Sequence, residues 1–195
     1  YFVTGPKITT RDANGRLVPE AGFVAPNLPR GAPRFTVEVL SPAGAMLGAT
    51  TTDANGNYSI KINFGKNPAT PVRVRTVARA SISGGTDLRV LRNLGATAPY
   101  EKISPLTTDP DLPTTQVDLN VRLDEGAAAF HILEVLFVGL SAIRGGVTGT
   151  VPDLDVLWEP GNGETSSFIV ASPQLGRLTV AGGIAGNDAS NQDAW

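Results

Sequence analysis

The chain has 195 residues, 16 Lys and Arg against 18 Asp and Glu, a formal net charge of −2 and no cysteine. That length makes one large domain or two small ones, enough to bury a real core. The charge balance excludes the dense basic face of a nucleic-acid binder, and the absence of cysteine excludes disulfides, zinc–thiolate sites and thiol catalysis.

In chain order, the opening Tyr1-Phe2-Val3-Thr4-Gly5-Pro6 has neither a basic start nor an apolar signal core. It reads as the front of a mature exported form or of a cut piece. Phe35–Leu40 alternates apolar and polar residues, and Ser41-Pro42-Ala43-Gly44 supplies a turn after it. Asp53-Ala54-Asn55-Gly56-Asn57 is a second turn, because Asn and Gly tolerate positive φ. Tyr58–Phe64 then alternates without a break. Val72–Arg75 does so too, with Ala78 and Arg79 continuing the pattern imperfectly, and Val117–Leu123 is another unbroken case. Period two over such lengths predicts strands with one face on a core, and short spacing predicts an antiparallel sandwich of about seven strands up to residue 123. Leu94–Thr115, with Pro99, Pro105, Pro110 and Pro113, reads as a long surface connection.

After Leu123 the texture changes. Asp124-Glu125-Gly126 precedes an apolar run, 127–143, which Arg144-Gly145-Gly146 closes as a helix end. The run falls short of the ~20 apolar residues of a membrane span and contains His131 and Glu134, so a buried helix is expected and no span. Short strands are expected at Leu154–Trp158, Ser167–Val170 and Arg177–Val180. The predicted organisation is therefore a mainly β chain: an antiparallel β-sandwich over residues 1–123 and a small α+β segment over 124–195.

Candidate chemistry is sparse. His131 is the sole histidine. With Glu134 three residues on, it gives two ligands at most, where zinc hydrolysis needs the pair of histidines in H-E-x-x-H. No G-x-S-x-G occurs, and Ser166-Ser167 has no base assigned to it. Asp153, Asp155, Glu159 and Glu164 cluster in sequence and admit a carboxylate-dependent hydrolase. Arg73, Arg75 and Arg79 form either a basic stripe for an acidic partner or a solvated strand face. Asp53, Asn55 and Asn57 place oxygen-bearing side chains at positions one, three and five, as a calcium loop opens. The closing acidic ligand is missing near Phe64-Gly65, and the same residues suit a bare turn. Asn187-Asp188 through Asp193 is a second oxygen-rich stretch. Calcium is the one cofactor this pattern admits.

The stretch from Val37-Glu38-Val39 through Gly48-Ala49-Thr50-Thr51-Thr52-Asp53-Ala54-Asn55-Gly56-Asn57-Tyr58-Ser59-Ile60 resembles the carboxypeptidase regulatory-like, or transthyretin-like (immunoglobulin-like), sandwich. In that family a T-D-x-N-G-x-Y/F segment leads into a strand. Ala128-Ala129-Phe130-His131-Ile132-Leu133 followed by Leu154-Asp155-Val156-Leu157-Trp158-Glu159-Pro160-Gly161-Asn162 resembles the region before the zinc helix of secreted bacterial metallopeptidase-like proteins. This chain carries no H-E-x-x-H. The resemblances imply a secreted or cell-surface protein, and a non-catalytic binding or scaffolding region of a metallopeptidase-like parent. A subunit of an extracellular fibre or surface assembly is the other expectation, with partner binding or self-assembly through edge strands in either case.

Overall fold

The computed structural model describes residues 2–3, 8–11, 17–19, 29–64, 70–82, 85–92, 95–107, 115–122, 125–146, 151–159 and 166–180. They are mostly β, with one helix. Two short antiparallel pairs stand first: β1 (Phe2–Val3) with β4 (Pro29–Arg30), and β2 (Ile8–Arg11) with β3 (Leu17–Pro19). A four-stranded antiparallel sheet follows in the order β10 (Glu101–Ile103), β7 (Arg73–Val77), β5 (Thr36–Leu40), β6 (Met46–Thr51). A five-stranded mixed sheet has the order β12 (Ser167–Ser172), β13 (Leu175–Thr179), β11 (Asp153–Leu157), β9 (Thr86–Leu91), β8 (Arg79–Ile82). The helix, α1 (Ala127–Gly146), packs on β8 and β9.

The turn between β5 and β6 forms where Pro42 and Gly44 put it. Gly44 sits at φ +87, its N–H donates to Ser41 O at 2.9 Å, and the Ser41 hydroxyl accepts from Ala45 N. One face of the four-stranded sheet buries Val37 and Val74. Over it lie two extended segments that bring Tyr58, Ile60, Val117 and Leu119 down onto those residues. Both segments show the alternating burial expected of strands. They are not ladder strands, however: apart from an isolated bridge at Val121, no regular pairing is assigned to 57–64 or 115–122. Their side chains hold them by burial, and the Tyr58 hydroxyl donates to Val117 O at 2.6 Å. Period two reports which side is wet, and a chain laid across a sheet needs the same alternation as one paired within it.

The imperfect pattern after Val72–Arg75 has a clear cause. Val74, Thr76, Ala78, Ala80 and Ile82 are all buried, but Val77 is buried as well, at the point where the run passes from one sheet to the other. β7 ends at Val77, β8 begins at Arg79, and Ala78 between them is fully enclosed. Its N–H donates to Tyr100 O at 2.7 Å and its carbonyl accepts from Val90 N at 2.9 Å, while Tyr100 N donates to Val90 O at 3.0 Å. Three segments are thus stitched together at the seam.

Leu94–Thr115, expected as a plain surface connection, supplies β10 and the Val72–Thr107 bridge as well as the buried Tyr100. Pro99 and Pro105 flank β10, which is an edge strand among the described residues, and Pro110 and Pro113 lie outside the described residues.

In the five-stranded sheet, β9 and β11 are parallel neighbours, and β11 and β13 are parallel too. Parallel pairing requires a crossover, and α1 provides it between β9 and β11. Strands on both sides of residue 123 therefore share this sheet. The face beneath α1 is apolar: Ala80, Leu88, Val90, Leu154 and Val156 meet Ala129, Phe130, Ile132 and Leu133. Phe130 also meets Phe35 edge-on, with ring centroids 5.5 Å apart, which brings the residue before β5 into the core beneath the helix.

α1 ends at Gly146, within the expected Arg144-Gly145-Gly146 close, with Arg144 in its last turn. It is buried only in its first half, from Ala127 to Leu133, while Val135, Val138 and Ile143 are exposed. By length and composition alone it is the helix among the described residues that could cross a membrane. Its start is set by Glu125 and Gly126. Glu125 pairs with Lys102 and accepts from Arg122 N at 3.0 Å, and Gly126 sits at φ +91.

Candidate functional site

The Asp53–Asn57 turn shows what its oxygens do. Asp53 Oδ1 accepts from Asn55 N at 2.8 Å and from Asn57 N at 2.9 Å, and Oδ2 accepts from the Asn57 side-chain amide at 3.4 Å. The Asn57 and Asn55 backbone donors hold the Asp53 carboxyl below its usual range. Gly56 is required twice over: its φ is +80, and a Cβ there would stand 2.6 Å from Ala32 N. The turn thus lies backbone against backbone on Gly31-Ala32. Asp53 and Asn57 face each other as acceptor and donor, and Asn55 contributes its backbone N–H, which is the chemistry of a self-capped turn. The second stretch, Asn187 to Asp193, lies outside the described residues.

His131 Nδ1 and Glu134 Oε2 are 3.7 Å apart, one helical turn from each other. Among the described residues no group of three or more His, Cys, Asp or Glu comes together to hold a metal. Ser166 and Ser167 are exposed at the entry to β12. A cleft of about 590 Å³ opens between the four-stranded sheet and its cover. Phe35, Val37 and Val74, each at most 4% exposed, line it together with the polar Asn57, Gln116 and Asp118.

The face of the five-stranded sheet away from α1 is charged. Strand register sets Arg79, Arg89, Asp155 and Arg177 side by side across β8, β9, β11 and β13. Arg79 pairs with Asp87 at 2.8 Å. Asp155, only 5% exposed, receives both Nε and NH2 of Arg89 at 2.8 and 2.6 Å. Asp153 accepts the Asp87 backbone N–H at 2.7 Å. Arg75, on the other sheet, is shared by Glu38 and Glu101. The three sequence-predicted arginines do not form a common basic stripe: Arg75 and Arg79 are matched by carboxylates, and Arg73 is exposed. Asp153 and Asp155 are likewise occupied in joining strands; Glu159 is exposed, and Glu164 lies outside the described residues.

Removing one member of the Arg89–Asp155 pair is expected to show its cost. Arg89→Met strands the Asp155 charge and should destabilise by about 2–3 kcal/mol, less than a fully buried pair because the Arg89 side chain is 35% exposed. The double variant Arg89→Met/Asp155→Leu should recover most of that loss, read from urea midpoints of the cycle. A single variant within ~0.5 kcal/mol of the parent, the usual scatter of neutral surface changes, would show that Asp155 is solvated without Arg89.

The strand expected at Ser167–Val170 is β12, and what sequence reasoning did not single out is its place at the edge of the sheet. Among the described residues it pairs with β13 on one side only and forms an edge of the sheet. Phe168, Ile169 and Val170 are 58, 53 and 70% exposed, and they project to both faces. Phe168 lies across Gly176 toward Leu154; a Cβ at Gly176 would stand 3.1 Å from its ring. An apolar open edge is what proteins normally blunt with charge, proline, a bulge or a cover, and here the register shift between Val170 and Ser172 comes only after the three apolar residues. Three adjacent apolar residues between serines, Ser167-Phe168-Ile169-Val170, carried the signal, since such a run at exposed positions is a fault unless it is used.

In comparisons with protein families, with curated proteins and with solved structures, nothing matched this chain.

Proposed function

We propose that this chain is a non-catalytic binding and scaffolding region of an exported, metallopeptidase-like protein, and that it binds by accepting an extended polypeptide strand along β12. The observation that carries this reading is the open edge of β12, with three large apolar side chains in water. Strand addition gains affinity from main-chain hydrogen bonds and selectivity from alternate side chains. The four-stranded sheet, covered by two extended segments and bearing the Thr52-Asp53-Ala54-Asn55-Gly56-Asn57-Tyr58 turn, supports a transthyretin-like sandwich as the scaffold beside it. The resemblance of Phe130–Leu133 and Leu154–Asn162 to the region before a zinc helix supports the metallopeptidase-like parent. A carboxylate-dependent hydrolase is less well supported, because Asp155 is held by Arg89 and Asp153 by a backbone N–H.

The test is hydrogen exchange at β12 in the presence of a synthetic, alternating Thr/Val heptapeptide. Slower exchange of the β12 amides, lost in Val170→Lys, is the expected result. Exchange at β12 that the peptide leaves unchanged, in a chain that is otherwise folded, would remove strand acceptance as the binding mode.

A further inference from the structure

Resting on β12 as the strand acceptor, we propose that the accepted segment carries a carboxylate side chain, and that Arg177 recognises it across Ile169. Arg177 lies on β13, in register with Ile169 of β12 on one side and Asp155 of β11 on the other. Its Nε is buried without a hydrogen-bond partner, whereas the other two arginines of the row are paired, Arg79 with Asp87 and Arg89 with Asp155. The Asp155 charge is matched by Arg89, so among the described residues the row ends in a cation with no ion pair, one strand in from the open edge.

Strand spacing of about 4.8 Å places an added strand roughly 10 Å from β13. An arginine stem can lie along the apolar surface of Ile169 and present its head at that distance, where an Asp or Glu side chain on the same face meets it. The unmatched cation also selects among occupants. If a second copy of this chain paired with β12 in antiparallel fashion, the two Arg177 side chains would lie on one face and repel. A neutral strand would leave Arg177 as it is. A strand with a carboxylate in this row sets a charge of opposite sign across Ile169 from Arg177, as Asp155 does on the other side of Arg177.

The experiment uses two labelled heptapeptides, Thr-Val-Thr-Glu-Thr-Val-Thr and the same sequence with Gln in place of Glu, and anisotropy titration at about 10 mM ionic strength, where screening is weak. The Glu peptide should bind about three- to fivefold tighter, with the preference shrinking as salt is raised. Arg177→Gln should make the two peptides equal while keeping the affinity of the Gln peptide, and an unchanged thermal midpoint would show that this variant is folded. If both peptides bind the parent equally and Arg177→Gln changes neither, the inference is overturned while strand acceptance stands. If neither peptide binds the parent, strand acceptance fails first and the inference falls with it. Self-association that is stronger in Arg177→Gln than in the parent would further support the repulsion assigned to Arg177.

Discussion

A chain cut after residue 123 is expected to lose cooperative folding. β9 would keep β8 but lose β11 on its other side, and the face carrying Leu88 and Val90 would lose α1. Phe35, the residue before β5, would lose Phe130. Tyr100 would lose the Trp158 carbonyl that its hydroxyl donates to at 3.0 Å. Each large apolar side chain returned to water costs about 1.5–3 kcal/mol, so Phe35, Leu88 and Val90 alone cost roughly 5–9 kcal/mol. The whole stability of a domain is about 5–15 kcal/mol. Urea titration of the 1–123 chain, followed by far-ultraviolet circular dichroism beside the 195-residue chain, makes the comparison. A sigmoidal transition with a midpoint close to that of the longer chain would mean that the first sheet and its cover stand alone.

Gly126→Ala is expected to destabilise by about 3 kcal/mol or more. Gly126 sits at φ +91, where an L-residue pays roughly 1–2 kcal/mol. Its Cβ would also stand 2.7 Å from Tyr100 Cδ1 and 3.0 Å from Cε1. The ring cannot retreat cheaply. It is 5% exposed, leans on Trp158 with centroids 5.6 Å apart, and carries Arg92 over its face. Overpacking of this kind costs about 1–3 kcal/mol in a filled core. Burial pushes the Tyr100 phenol up to about 12. Tyr100→Phe keeps the ring and loses only the hydroxyl bond, so it should cost about 1 kcal/mol. The two urea midpoints separate ring placement from hydrogen bonding. A Gly126→Ala loss no greater than that of Tyr100→Phe would show that the ring yields.

Much of the secondary structure was legible because burial enforces periodicity. Phe35–Leu40, the helix from Ala127 and the three strands after it lie close to where their patterns place them. The pairing of those strands was not legible. Nothing in Asp87-Leu88-Arg89-Val90 names Leu154-Asp155-Val156 as its parallel neighbour across a helix, since both are short apolar–polar alternations that would fit many partners. The run from Val74 to Ile82 hid the passage from one sheet to the next, because every second residue stays buried through Ala78 and only the added burial of Val77 marks the junction. At the site level, the Asp53 turn was readable as either a ligand loop or a cap, and only the direction of the Asn55 and Asn57 N–H groups shows the capping. The importance of β12 and Arg177 depended on which strand is last in the sheet, and a linear pattern does not carry that information.

The seam at Ala78 also fixes how the molecule bears load. An extended backbone advances about 3.3 Å per residue and has almost no slack. Part of any pull that separates the two sheets therefore runs along this taut segment and loads the hydrogen bonds of β7 and β8 in shear, many at once, with no single bond at a peeling front. The chain passes between the same two sheets again from β9 to β10, and the bonds among Ala78, Val90 and Tyr100 tie that second connection to the first.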